Sequence, residues 1–125
     1  MARVLALVPD LLFGSRVQSA LSAAGHEVEL IGDEGRLRQR LSDPGAPPAA
    51  VLLVDLTNDQ LEGATLVRAL SGEGELAGLR TLGFYSHVDV RARERAEEAG
   101  FDLVVPRSRM AREAPELLAG LAFTP

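Results

Sequence analysis

Four polar residues stand just beyond short apolar runs, and their types suit phosphate and divalent-cation chemistry. Asp10 follows Val4–Val8 and Pro9, Asp55 follows Val51–Val54, Ser86 follows Thr81–Tyr85, and Arg107 follows Leu103–Val105 and Pro106. Two carboxylates side by side attract a hard cation such as Mg²⁺. A hydroxyl and a guanidinium beside them offer hydrogen bonds to phosphate oxygens. Taken singly, each residue has a plainer role: Asp10 and Asp55 as turn caps, Ser86 as a strand end, Arg107 as a solvated loop charge. Gathered on one rim, they make a site, and His87 next to Ser86 is placed to gate it.

Other chemistries are excluded by absence. All 13 basic residues are arginine, so Schiff bases, a lysine general base and a Walker-type phosphate loop are ruled out. No cysteine is present, which removes disulfides, thiolate zinc sites and a Cys nucleophile. Two histidines, His26 and His87, are too few for a multi-histidine metal centre. The net charge of −5 argues against a broad nucleic-acid face. The arginines at 36, 38 and 40 and at 91, 93 and 95 alternate with other residues and read as solvated helix faces.

The elements that must position the four residues follow from hydrophobic periodicity. Val4–Val8 and Val51–Val54 are unbroken apolar runs, expected of strands buried on both faces. Val28–Ile31, Thr81–Tyr85 and Leu103–Val105 complete five short strands. Between them lie helical periods: Phe13, Val17, Leu21 and Ala24; Leu37 and Leu41; Leu66, Val67 and Leu70; Ala92, Ala96 and Ala99. Asp59 and Glu62 have capping-box spacing for the third helix, and Pro115 suits the first position of the fifth.

Five βα units in one 125-residue chain predict a parallel sheet covered on both faces by helices, two on one side and three on the other. Residues 1–125 are expected to form a single domain with no output domain. In strand order 2-1-3-4-5 the order reverses between the first and third strands, which sets Asp10 beside Asp55. The longest apolar runs fall well short of the roughly 20 residues of a membrane helix, and the start carries no signal-peptide pattern. No membrane association is expected, and the cytoplasm is the default location.

In order and spacing the chain resembles the receiver domains of two-component response regulators, a flavodoxin-like three-layer α/β/α fold with a five-stranded parallel sheet. Asp55-Leu56 with Gly63 eight positions after Asp55 is similar to the family's phosphoacceptor segment. Ala99-Gly100-Phe101-Asp102 resembles the family's segment before the fifth strand, and Ser86 falls where the family keeps a Ser or Thr. Arg107 lies 52 positions after Asp55, where the family keeps a lysine. The resemblance implies Asp55 as phosphoacceptor, Ser86 and Arg107 as phosphate contacts, and Asp10, Asp55 and the Thr57 carbonyl as ligands of Mg²⁺. It implies a signalling module rather than an enzyme, working through a protein partner. A homodimer is expected to form across the face of the fourth helix, fifth strand and fifth helix, where Arg91, Arg95, Arg109 and Arg112 mix with Glu94, Glu98 and Glu113.

The departures from the family set the functional expectation. One acid stands after the first strand, Asn58-Asp59 replaces the usual Met-Pro, Val104 replaces the aromatic switch residue, and the lysine is Arg107. Arginine is planar and bidentate where lysine is a compact point charge. Arg107 is therefore expected to act as an internal counter-ion for Asp55. That gives a pseudo-receiver acting without phosphorylation, with a Mg²⁺-dependent phosphoacceptor at Asp55 as the alternative. An enzyme or small-ligand binder on the same fold has less support. Residues 9–14 lack a Ser/Thr/Gly-rich phosphate cradle, Gly72-Glu73-Gly74 precedes a strand instead of following one, and no Asp-x-His-x-x-Gly segment occurs.

Overall fold

The computed structural model describes residues 2–58 and 60–122. The chain alternates β1 (Arg3–Leu7), α1 (Leu11–Ala23), β2 (Glu27–Ile31), α2 (Glu34–Ser42), β3 (Val51–Asp55), α3 (Gly63–Gly72), β4 (Arg80–Tyr85), α4 (Val90–Ala99), β5 (Leu103–Pro106) and α5 (Arg107–Ala122). All four strand pairings are parallel, in the order β2-β1-β3-β4-β5. This is the flavodoxin-like α/β/α architecture expected from the sequence. Alternation along each strand divides the core into two layers. Val4, Ala6, Val51, Leu53, Leu82, Phe84 and Val105 pack under α1 and α5, and Leu5, Leu7, Leu52 and Val54 pack under α2, α3 and α4. The central strands β1 and β3 are buried almost throughout, as their unbroken apolar runs require. No helix among the described residues is long and apolar enough to cross a membrane.

Two elements differ from the sequence expectation. The fifth helix starts at Arg107, eight residues before Pro115, and Glu113 at its bend is non-helical (φ −126°, ψ 23°). Pro115 removes a helical N–H and crowds the preceding turn, so it bends a longer helix where it had been expected to start a short one. Burial of Met110 and Ala114, one turn apart, holds the early segment down. The capping-box expectation fails on Glu62, and its other half, Asp59, lies outside the described residues. Glu62 sits in the left-handed region (φ 47°) as the residue before α3 and caps nothing with its side chain.

β2 is an edge strand whose polar residues are tied down by ion pairs. Arg40 Nε and Nη2 each donate to Glu29 at 2.9 Å, and Arg3 pairs with Glu27 and Glu29. Hydrogen bonding from Arg40, with the charges of Arg40 and Arg3 adding, holds the Glu29 carboxyl below the usual glutamate range against partial desolvation. A depressed carboxyl pKa contributes stability that is complete above the unfolded value and lost as pH falls through the folded one. Denaturant midpoints measured across acid pH should therefore drop below about pH 4.5. The drop should be shallower in Glu29→Gln, and identical acid profiles for the two proteins would refute this role.

Candidate phosphoacceptor site

Strand register brings the carboxyl ends together on one rim. Asp55 is paired with Phe84, and Phe84 with Val105; Leu7 lies opposite Val54. Ser86 and Arg107 each stand two residues beyond those partners. Alternation therefore sends Asp55, Ser86 and Arg107 toward the same layer as Leu53 and Phe84, under α1 and α5. Asp10, two residues past Val8, joins them by heading α1.

Asp55 is 2% exposed. Its Oδ1 accepts the Thr57 backbone N–H at 2.7 Å and the Thr57 hydroxyl at 2.6 Å. Oδ2 accepts no hydrogen bond among the described residues. One oxygen is fixed and the other has no hydrogen-bond partner among the described residues, a disposition that suits a carboxylate nucleophile. Thr57 thus meets Asp55 through its amide and hydroxyl, where the sequence pointed to its carbonyl as a metal ligand.

Arg107 is held elsewhere than expected. Its Nη2 donates to Asp10 Oδ2 at 3.2 Å, and its Cζ lies 4.3 Å from the centroid of the Phe13 ring. Phe13 in turn packs on Phe84, centroids 4.8 Å apart. Asp10 is doubly employed: Oδ1 accepts the N–H groups of Leu12 and Phe13 at 3.1 Å each, capping α1. The Phe13 N–H chiefly, then the charge of Arg107 and the Leu12 N–H, hold the Asp10 carboxyl below the usual aspartate range, opposed by desolvation. The expected Arg107–Asp55 counter-ion pair does not form, because the N-cap brings a nearer carboxylate and Phe13 offers the guanidinium a ring to lie on.

Between α1 and α5 opens a cleft of about 370 Å³, lined by Thr57, Ser86, His87 and Arg107 among others; Asp55 itself does not line it and meets it through Thr57. Ser86 is half-buried and its hydroxyl bonds no described residue; His87 is exposed at the cleft edge. The sequence reading missed Phe13 and Arg16. Phe13 was assigned only to the core face of α1, yet its place one turn past the N-cap sets it under Arg107. Arg16, one turn further along the same helix, also lines the cleft. Among the described residues no group of three His, Cys, Asp or Glu side chains is arranged to hold a metal by itself.

No protein-family model matches the sequence, and no curated protein matches it. Solved structures do match. The phosphorylated cyanobacterial phytochrome response regulator RcpA has a TM-score of 0.82 at 12% identity, covering 99% of this chain and 96% of its own. The Mn²⁺-bound response regulator Rcp1 has a TM-score of 0.82 at 14% identity, covering 100% and 97%. A Burkholderia pseudomallei response regulator with a phosphorylated aspartic acid, a calcium ion and citrate has a TM-score of 0.77 at 16% identity, covering 99% and 68%. These likenesses show the fold.

The expectation of a phosphorylation-independent pseudo-receiver is corrected by the same findings. It leaned most heavily on Arg107 occupying Asp55, beside the other departures, and Arg107 is on Asp10. The proteins that share this architecture include two that carry a phosphoryl group and two that carry a divalent cation. This chain has the fold of a response-regulator receiver domain.

Proposed function

We propose that the chain is a phosphoacceptor receiver in which Asp55 takes a phosphoryl group in a Mg²⁺-dependent reaction. The observation that carries this reading is the buried Asp55 carboxylate, with Oδ1 held by Thr57, a residue that lines the cleft, and Oδ2 accepting no hydrogen bond among the described residues. Oδ2 attacks phosphorus and forms an acyl phosphate, while the bond to the leaving group breaks and the leaving group departs with the electron pair. The Ser86 hydroxyl donates to a phosphoryl oxygen. Arg107, half-exposed and joined to Asp10 by one hydrogen bond, supplies positive charge to the same rim.

The donor set suits a hard cation. Asp10, Asp55 and the Thr57 carbonyl offer oxygen only, and Mg²⁺ keeps several waters, so two carboxylates and a carbonyl suffice. When bound, the ion offsets the negative charge of the phosphoryl oxygens. Output passes to a protein partner. The α4-β5-α5 face, with arginines and glutamates interleaved, suits a two-fold contact with a second copy of the chain.

Incubation with a small-molecule phosphodonor should add one phosphoryl group to the intact mass. The addition should need Mg²⁺ and disappear with a chelator. An unchanged mass with several donors at saturating Mg²⁺ would refute the proposal.

A further inference from the structure

The cleft lined by Thr57, the hydrogen-bond partner of Asp55, has a charge pattern that the rim residues alone do not explain. In a chain of net charge −5, its lining holds Arg16, Arg107, His87 and the hydroxyl residues Thr57, Ser86 and Ser108, the rest being apolar. No carboxylate lines it. Arg107 is paired with Asp10, but Arg16 enters no ion pair among the described residues. Its helical neighbours one turn away are Leu12, Phe13, Ser19 and Ala20, none of them acidic. Arg68, Arg91 and Arg95 also enter no ion pair among the described residues, but Arg95 faces a different pocket that includes Glu62 and Asp89. Arg16 is thus an uncompensated guanidinium facing a space built of donors. A guanidinium fork fits the paired oxygens of a carboxylate or phosphate.

We propose that this cleft is an oxyanion-recognition site in which Arg16 selects phosphodonors whose leaving group departs as an oxyanion. The proposal rests on the phosphoacceptor reading of Asp55. In a displacement at phosphorus, the attacking and leaving atoms lie roughly in line, so the leaving group departs away from Asp55. With an acyl phosphate, the Oδ2–P bond forms, the P–O bond to the acyl group breaks, and the carboxylate leaves with the electron pair. No proton is required, and Arg16 meets the new negative charge. A donor with a P–N bond releases a neutral amine, which offers Arg16 nothing to stabilise.

The test has two arms on the full chain. In the first, inorganic phosphate is titrated without metal while the backbone amides of Ser86 and Ser108 are followed by NMR. Shifts at both are expected, with affinity several-fold weaker in Arg16→Gln and partly restored in Arg16→Lys. In the second, phosphorylation rates with acetyl phosphate and phosphoramidate are compared. Arg16→Gln should slow the acyl donor about tenfold, the effect of one charge-assisted contact, and change the phosphoramidate rate by less than about twofold. Equal slowing with both donors, or slowing with neither, overturns the selecting role of Arg16. Phosphorylation by neither donor, with phosphate binding that still depends on Arg16, removes the phosphoacceptor reading and leaves the oxyanion site standing.

Discussion

Freeing Asp10 from Arg107 should raise divalent-cation affinity, and Arg107→Gln is the direct way to do it. Asp10 Oδ2 is the oxygen that Arg107 holds, while Oδ1 is committed to the N–H groups of Leu12 and Phe13. A cation approaching Asp10 must therefore compete with the guanidinium for Oδ2. Glutamine keeps much of the side-chain volume and removes the charge. A half-exposed ion pair is worth up to about 1 kcal/mol, so a gain of up to about fivefold is expected. Arg107→Lys keeps the charge but loses the planar group that lies over Phe13, and should fall between the two. Calorimetric titration with Mg²⁺ or Mn²⁺ measures this without any phosphodonor. Unchanged or weaker binding in Arg107→Gln would show that Asp10 is no ligand, or that Arg107 does not restrain it.

Gly63→Ala should destabilise the fold and disturb the site together. A methyl group there would come within 2.6 Å of Val54 Cγ1 and 3.0 Å of Leu56 Cδ2. Val54 is fully buried and β-branched, so its freedom to rotate away is restricted. The start of α3 must then lift off β3, next to Asp55, whose carbonyl oxygen lies 3.5 Å from the same position. Overpacking of this kind costs about 1–3 kcal/mol. Gly72→Ala at the far end of the same helix meets nothing within 4 Å and should stabilise by about 0.5 kcal/mol. Urea unfolding of the two variants separates crowding from helix propensity. Equal midpoints would remove the packing explanation for Gly63.

The parts of the structure legible in the sequence are those set by burial. Val4–Val8 and Val51–Val54 could be read as central strands because a parallel strand covered on both faces has no solvent side to mark with polar residues. The Ala99–Asp102 segment was legible through its resemblance to the family's segment, and three of its residues have mechanical tasks. Gly100 takes a left-handed φ of 97° to end α4, Phe101 packs into the core layer under α2, α3 and α4, and Asp102 bonds the backbone and hydroxyl of Thr81 at the start of β4.

What stayed hidden depended on choices between chemically equivalent partners. Arg107 had two carboxylates available, 97 and 52 positions away, and sequence spacing does not rank them. The ranking comes from the N-cap geometry of Asp10 and the ring of Phe13 beside it. The first turns of α5 were hidden because Arg107–Arg112 is mostly polar, with Met110 its one large apolar anchor. Arg16 was hidden because an arginine one turn past a core phenylalanine reads as an ordinary helix surface until α5 is seen across from it.

Borohydride trapping tests the central claim most directly. An aspartyl phosphate is reduced to homoserine, so the modified position can be read by peptide mapping after exposure to phosphodonor and Mg²⁺. Homoserine is expected at position 55, with none in Asp55→Asn. Homoserine at another aspartate, or none after prolonged exposure to donor and Mg²⁺, would contradict the assignment of Asp55 as the phosphoacceptor.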